Sequence, residues 1–418
     1  MTGTLVATPE PDDSNRKHGA RRNTPKLRDG VMKRGTTWSY VIRVTDPETG
    51  VSKPKWVGGF TTEDDAKAAR DEARVAARRG EYVNRNAITV GDYLEEWIEA
   101  HSVEIKPKTL HGYRMLIRLY IVPRIGNLRL QAVRPATITK LYRDLLNGGG
   151  RNGKPLSPTT IAHVHTVVRK ALRDAVVIDE ILPNNPAERA KLPRNQRAEP
   201  GTVWTPAQLR DFLKVAEGHR LFAFYRLAAY TGARRGELLN LRWRDIDLDV
   251  PEVRIKGSSS VIDGKRVEGT TKSGRSRVVS LDEETAQILR EHRARQACEK
   301  LVADEEWKGT DDYVFTTGWG EPIYPDTVTS LVPKLIAAYN APKDRPRPKK
   351  PLPHARLHDL RHVHATTLLL AGVPVHVVAA RLGHADPAIT LRVYAHVINE
   401  QMAAAADVFA TAIKDAAA

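Results

Sequence analysis

Residues 358–397 read HDLRHVHATTLLLAGVPVHVVAARLGHADPAITLRVYAHV. His358-Asp359-Leu360-Arg361-His362 opens a predicted helix that runs through Thr366 and Leu370 and ends at Gly372. His358 and Arg361, three apart, share one face near that helix's N-terminus, where an imidazole and a guanidinium suit an anionic ligand. Leu382-Gly383-His384 follows. Asp386 is a good N-cap and Pro387 a good first residue for another helix, and Tyr394 falls on it. Alone, Tyr394 is one of 12 tyrosines, and packing is the ordinary role of such a residue.

Upstream, Thr231-Gly232-Ala233-Arg234-Arg235-Gly236-Glu237-Leu238 reads as a turn opening a helix, with Arg234 and Glu237 on one face. The plain alternative is a local surface ion pair. Val253–Ile255 and Arg277–Leu281 read as strands, with Thr271-Lys272-Ser273-Gly274 as the turn between them. A lysine at a hairpin tip ordinarily serves solubility.

The totals fit a nucleic-acid partner. The 418 residues carry 66 Lys and Arg against 50 Asp and Glu, a net charge of +16, and neutralising phosphates releases counterions. The single cysteine, Cys298, excludes an internal disulfide framework and a cysteine-rich zinc site, and fits a reducing compartment. No apolar run reaches the roughly 20 residues that span a bilayer, so a soluble, cytoplasmic protein is expected.

The pattern along the chain predicts a multidomain protein, mainly α with small β-sheets. Residues 1–30 form a basic flexible arm. Residues 31–85 form a three-stranded sheet backed by a helix, with Asp46–Gly50 as turn chemistry, Thr61 or Thr62 as cap, and Ala66, Ala69, Ala73 and Ala76 on one small face. Residues 88–182 are helical: Val90, Tyr93, Leu94, Trp97 and Ile98 form one stripe, and further helices begin after Pro107, at Pro135 and at Ser157-Pro158. Residues 183–202 form a proline-rich linker, 203–398 a mixed α/β domain, and 399–418 a tail helix with Met402, Ala405, Phe409 and Ile413 in a stripe.

Together these segments supply phosphoryl transfer without a metal. Negative charge gathers on the non-bridging oxygens of a reacting phosphodiester, and paired guanidiniums hold it bidentately. A leaving 5′ oxygen needs a proton, which lysine can deliver, and a tyrosine hydroxyl needs help from a neutral histidine to attack. With this set in this order, the chain resembles the tyrosine recombinase family, specifically phage-type integrases. Arg234, Lys272, His358, Arg361, His384 and Tyr394 match the six catalytic positions, and Glu237 the acidic residue that supports them.

The resemblance implies that Tyr394 attacks to give a 3′-phosphotyrosyl bond, with Lys272 as general acid and His358 as general base. Arg234 and Arg361 would be the oxyanion clamp, and His384 would hydrogen-bond the phosphate. It implies no cofactor and no metal. Residues 31–85 would bind arm-type DNA sites, 88–182 would be the core-binding domain and 203–398 the catalytic domain. The partners would be double-stranded DNA attachment sites, a homotetramer on DNA, a host DNA-bending protein and an excisionase. The location would be nucleoid-associated in a bacterial host, and the tail would dock on a neighbouring protomer.

Three other readings stay open at this level. A type IB topoisomerase shares the phosphotyrosine chemistry. A metal-dependent nuclease would use the alternating Asp245, Asp247 and Asp249, which also suit turns and caps. A non-enzymatic DNA-binding regulator would not need the catalytic set. A basic, proline-rich stretch from Pro342 to Pro353 is either a DNA contact or a solvated insertion.

Overall fold

The computed structural model describes residues 29–45, 51–78, 87–194, 203–272, 274–342, 346–388, 390–391, 409–410 and 413–414. The basic arm up to residue 28, the Asp46–Gly50 turn, residues 195–202 of the linker, Ser273, Tyr394 and all but four positions of the tail lie outside them. The chain divides into two compact units, Met1–Ala100 with Met115–Arg194, and His101–Arg114 with Asn195–Ala418.

In the first unit, β1 (Val31–Arg34), β2 (Thr37–Thr45) and β3 (Ser52–Phe60) form an antiparallel sheet in sequence order. Val31, Tyr40, Ile42 and Val57 point to one face and are buried under α1 (Glu63–Arg78). Only small side chains let that helix lie close, and Ala66 and Ala73 are buried as the pattern predicts. Thr62 Oγ1 caps the helix by accepting from Asp65 N–H at 3.1 Å. On the opposite face the Arg34 guanidinium lies 4.1 Å over the exposed Trp56 ring, and Arg43 donates to Ser52.

The helical part contains α2 (Val90–His101), α3 (Pro107–Leu116), α4 (Val122–Ile125), α5 (Pro135–Gly148) and α6 (Pro158–Val177). The stripe of α2 is buried. Two of its polar tips find partners: the Tyr93 hydroxyl donates to Asp179 at 2.7 Å and the Trp97 indole to Asp174 at 2.8 Å. Between α3 and α4 the chain widens into a π-helical turn, Ile117–Ile121. Pro123 explains it, because a proline ring clashes with the carbonyl four residues back in a regular α-helix. Arg124 donates to the Leu119 and Tyr120 carbonyls beside it.

The second unit holds α7 (Pro206–Ala216), α8 (Phe222–Thr231), α9 (Arg235–Leu238), β4 (Ile246–Asp247), β5 (Glu252–Ile255), β6 (Gly257–Ile262), β7 (Lys265–Thr270), β8 (Arg277–Ser280), α10 (Glu283–Ala303), α11 (Pro325–Asn340), α12 (Asp359–Leu370) and α13 (Val375–Leu382). Edge-to-face pairs, Phe224 with Tyr225 and Phe224 with Phe315, sit at the centre of its core. β5 and β8 pair antiparallel as expected, Val253 opposite Val279.

β5 and β8 do not form the simple hairpin expected of them. Residues 257–270 form a second hairpin, β6–β7, between those strands, with Asp263 and Gly264 at its turn in positive φ (48° and 76°). Lys272 therefore lies on the connection from β7 to β8, not at the tip of a β5–β8 hairpin. The inserted hairpin is anchored by Glu268, which accepts from Arg242 at 2.9 Å and from the Tyr313 hydroxyl.

Two of the three alternating aspartates serve local structure through their carboxylates. Asp245 accepts from Arg242 N–H and pairs with Lys256, while Asp247 Oδ1 accepts from Asp249 and Val250 N–H. Among the described residues no group of three or more His, Cys, Asp or Glu could hold a metal ion, and no helix is long and apolar enough to cross a membrane. The C-terminal end of the Pro342–Pro353 stretch is tied to the core: Leu352 is buried and exchanges two hydrogen bonds with Asn340, and Trp204 donates to Pro353.

His292, 3% exposed, sits in this core on Phe315. Its Nε2 lies 2.7 Å from the Val314 carbonyl, to which it must donate, and its Nδ1 accepts from Arg295 at 2.7 Å. Acceptance at Nδ1 requires the neutral ring, and burial pushes its pKa down to about 4. A histidine depressed in the folded state contributes stability that is complete above the unfolded value near 6.5 and is lost as pH falls toward 4. We expect His292→Gln to flatten the fall in unfolding free energy between pH 7 and pH 5. The wild-type contribution over the full window is on the order of 3 kcal/mol for this ring. Denaturant titrations at both pH values check it, and an unchanged slope would contradict it.

Candidate active site

The site begins where α8 ends. Gly232 adopts the left-handed conformation (φ 61°), and a β-carbon there would lie 2.6 Å from Leu382 and 2.9 Å from His364. Only glycine satisfies both constraints. Arg234 follows as the N-cap residue of α9, with Glu237 at the third helical position. Glu237 Oε2 accepts from Arg234 N–H at 3.0 Å, and its Oε1 from Arg234 Nη1 at 2.9 Å. The pair is local, as the spacing implies, but it is not a surface pair: Glu237 is 1% exposed. Arg277 on β8 supplies a second cation, its Nη2 2.7 Å from Glu237 Oε2. Burial alone would raise this carboxyl, but the hydrogen bond and charge of Arg277, then those of Arg234, hold it below the ordinary carboxylate value.

α12 brings the next two residues. His358 is its N-cap residue, and Arg361, buried in the first turn, donates through Nη1 to the Gly232 carbonyl at 2.7 Å. This bond ties the α12 arginine to the turn that carries Arg234. α13 ends at Gly383, again left-handed (φ 69°), and presents His384 directly after it. His384 Nδ1 lies 2.7 Å from the hydroxyl of the buried Thr390, and Asp386 Oδ1 accepts from Ala388 N–H as the cap reading predicts.

Charge–charge effects show which groups act on one another. His384 is pushed down to about 4 by desolvation first, then by Arg361, Arg234, Arg277 and His362. His358 keeps an exposed edge, yet desolvation and then His362, Arg361 and Arg234 also bring it to about 4, with Asp359 opposing. His358 and His362 meet edge to face at 5.2 Å. His358 and His384 are therefore neutral at pH 7, and two arginines, Arg234 and Arg361, act on both. An anion placed among them would be hydrogen-bonded and charge-matched.

Lys272 stands apart. Its side chain is exposed, in a tight turn where Gly274 N–H donates to the Thr271 carbonyl, and it is not among the main charges acting on either imidazole. Tyr394 lies outside the described residues. Arg277 and Thr390 are functional candidates that the motif reading passed over. Arg277 was legible from strand parity, since it shares its face with the buried Val279 while Val278 between them is exposed.

Residues 203–401 match the model of the phage integrase family. Residues 89–146 match the N-terminal SAM-like domain of phage integrases, and residues 31–75 an arm DNA-binding domain. The chain belongs to the tyrosine recombinases of the phage integrase family. A tyrosine recombinase XerC-like protein of Caldanaerobacter subterraneus subsp. tengcongensis is 29% identical over 360 residues, covering 81% of this chain and 87% of that protein. The ICEBs1 integrase of Bacillus subtilis is 26% identical over 350 residues, covering 82% and 87%. In fold, the recombinase resembles the Tn1549 transposon integrase solved with transposon right end DNA. The TM-score is 0.64 at 21% identity, over 77% of this chain and all of that one. It also resembles a λ integrase dimer bound to a COC′ core site, with a TM-score of 0.51 at 16% identity over 90% and 96%. The recombinase is thus an enzyme of site-specific DNA strand breakage and rejoining, built as a multidomain, mainly helical chain with small sheets.

Proposed function

We propose that the recombinase integrates and excises a phage or other mobile element by a phosphotyrosine mechanism in which Arg234, Lys272, His358, Arg361, His384 and Tyr394 act together, with Glu237 in support. The observation that supports this reading is that Arg234 and Arg361 both lie close enough to His358 and His384 to depress the two imidazoles. Arg234 and Arg361 hold the non-bridging oxygens of one phosphodiester. His358, neutral at pH 7, takes the Tyr394 proton as the phenol oxygen attacks phosphorus. The P–O5′ bond breaks, Lys272 protonates the leaving oxygen, and the 3′ phosphate stays on the tyrosine. The exposed position of Lys272 suits a group that reaches the scissile phosphate only when DNA is bound. If Thr390 donates to His384 Nδ1, the proton of that ring is fixed on Nε2, where it can be given to a phosphate oxygen.

Residues 31–85 would hold arm-type sites, with Arg34, Arg43 and Trp56 on the face of the sheet opposite the helix. Residues 88–182 would close over core DNA and 203–398 would carry the chemistry. The acting species would be a homotetramer on two attachment sites in the bacterial nucleoid, helped by a host DNA-bending protein and steered by an excisionase. The test uses nicked suicide duplexes tiled across a candidate attachment site. The wild type should trap a strand covalently at one position and Tyr394→Phe at none.

The tail is assigned to a neighbouring protomer. Phe409 and Ile413 are 70% and 57% exposed, so these two side chains are available to a partner. Deleting residues 399–418 should reduce tetramer assembly on DNA, read by native gel or light scattering. DNA binding and cleavage of single sites should be spared, and undiminished assembly would reject the assignment.

A further inference from the structure

Arg277 is bonded to two of the boxes that build the site and belongs to neither. From β8 its guanidinium, with a side chain 9% exposed, donates through Nη2 to Glu237 Oε2 at 2.7 Å and through Nε to the Arg381 carbonyl at 2.9 Å. The first partner holds Arg234 through its other oxygen. The second lies in the last turn of α13, two residues before Gly383 and three before His384. Nη1 is buried without a hydrogen-bond partner among the described residues, and sits 2.6 Å from where a β-carbon of Gly383 would be. Glycine at 383 is thus required twice, by its left-handed φ and by the arginine lying against it.

We infer that Arg277 is a positioning residue of the cleavage reaction, a fork that fixes the Arg234–Glu237 pair and the Gly383–His384 turn in register so that both reach one phosphate. A planar guanidinium can donate to Glu237 and to the Arg381 carbonyl at once from fixed directions. An ammonium at the end of a lysine stem offers the same charge without that geometry. Arg381 strengthens the same joint from its own side: its Nη2 donates to the Tyr230 and Ser280 carbonyls and its Nε to His364. Four segments that are far apart in sequence thereby meet around the α13 terminus.

The inference rests on the phosphotyrosine reading, and its test separates the two. Full-length Arg277→Lys and Arg277→Met are compared with wild type for DNA affinity, thermal melting and single-turnover strand trapping. The probe is the nicked duplex on which the wild type traps. Arg277→Lys is expected to melt cooperatively within a few degrees of wild type and to bind DNA within about threefold. At saturating DNA it should trap roughly 10–100-fold more slowly. Arg277→Met should be slower still. An Arg277→Lys protein that folds and traps within about twofold of wild type overturns the inference. So does a pair of variants that both lose cooperative melting, which would make Arg277 a folding residue only.

If the wild type traps no strand, the phosphotyrosine reading falls by itself. The placement of Arg277 is then decided by the His384 imidazole, titrated by NMR in histidine-labelled protein. Arg361, Arg234, Arg277 and His362 all act on that ring, so removing the Arg277 charge should raise its midpoint, and an unmoved midpoint would overturn the inference.

Discussion

A Tyr394→Phe recombinase is expected to bind its attachment DNA as well as wild type and to leave no protein–DNA adduct on a nicked suicide duplex. The substitution removes one oxygen, the only atom of that side chain able to attack phosphorus. Water attacking in its place is neither tethered nor deprotonated, and it would leave no protein–DNA bond. A tethered nucleophile gains effective concentration that no solvent molecule matches, so loss of adduct formation by about 10⁴-fold or more is expected. DNA affinity should move little, because it resides in the many cationic contacts implied by a net charge of +16. Two gels read the result: a denaturing gel for the adduct and a native gel for binding. An adduct of normal yield in Tyr394→Phe would move the nucleophile to another residue. Simultaneous loss of binding would show that Tyr394 helps form the DNA surface.

The contrast between what the sequence discloses and what the fold adds follows from the range of each interaction. Local signals read correctly. Ser157-Pro158 opens α6 with Ser157 Oγ accepting from Thr160 N–H, and Asp386 caps its own turn, because both depend on residues two or three apart. The order of Arg234, His358, Arg361 and His384 is likewise visible in the sequence as a motif, since the proposed chemistry would need those side-chain types whatever the path between them.

Two features are not read from the sequence, for different reasons. The β6–β7 hairpin carries its own local marker, Asp263-Gly264, but the turn chemistry at Thr271–Gly274 competes with it in the sequence. The burial of Glu237 had no local marker. It depends on Arg277, 40 residues on, just as the requirement for Gly232 depends on His364 and Leu382 far downstream. A carboxylate three residues from an arginine looks alike in sequence whether it faces water or a second guanidinium. Only the fold decides between a pair contributing almost nothing at the surface and one whose disruption is severe.

Glu237 is where that difference should be largest. With the carboxylate in place, two guanidiniums approach within hydrogen-bond distance of one buried group, and the cluster carries a net charge of one. Glu237→Ala leaves Arg234 and Arg277 facing each other across a cavity with no counter-charge, and truncating one member of a buried ion pair costs about 3–5 kcal/mol. The melting temperature should fall by several degrees, and the protein that remains folded should trap DNA at least about 100-fold more slowly, because Arg234 has lost the group that aims it.

Glu237→Gln separates the two effects. It keeps the shape and one acceptor oxygen but turns an N–H₂ toward a guanidinium that cannot accept, so about 1–3 kcal/mol of stability should be lost. Trapping should fall by roughly tenfold or more, with DNA affinity unchanged. The charge also sets a pH sign. Because the folded carboxyl lies below its ordinary value, its stabilisation is present above that value and disappears as pH falls through the folded one. Glu237→Gln should therefore be less sensitive to acid than wild type while being weaker at pH 7. Measurements of unfolding free energy and single-turnover trapping at pH 7 and pH 4 check both halves. A Glu237→Gln protein equal to wild type in stability and rate at pH 7 would mean that the buried carboxylate neither holds the fold together nor aims Arg234.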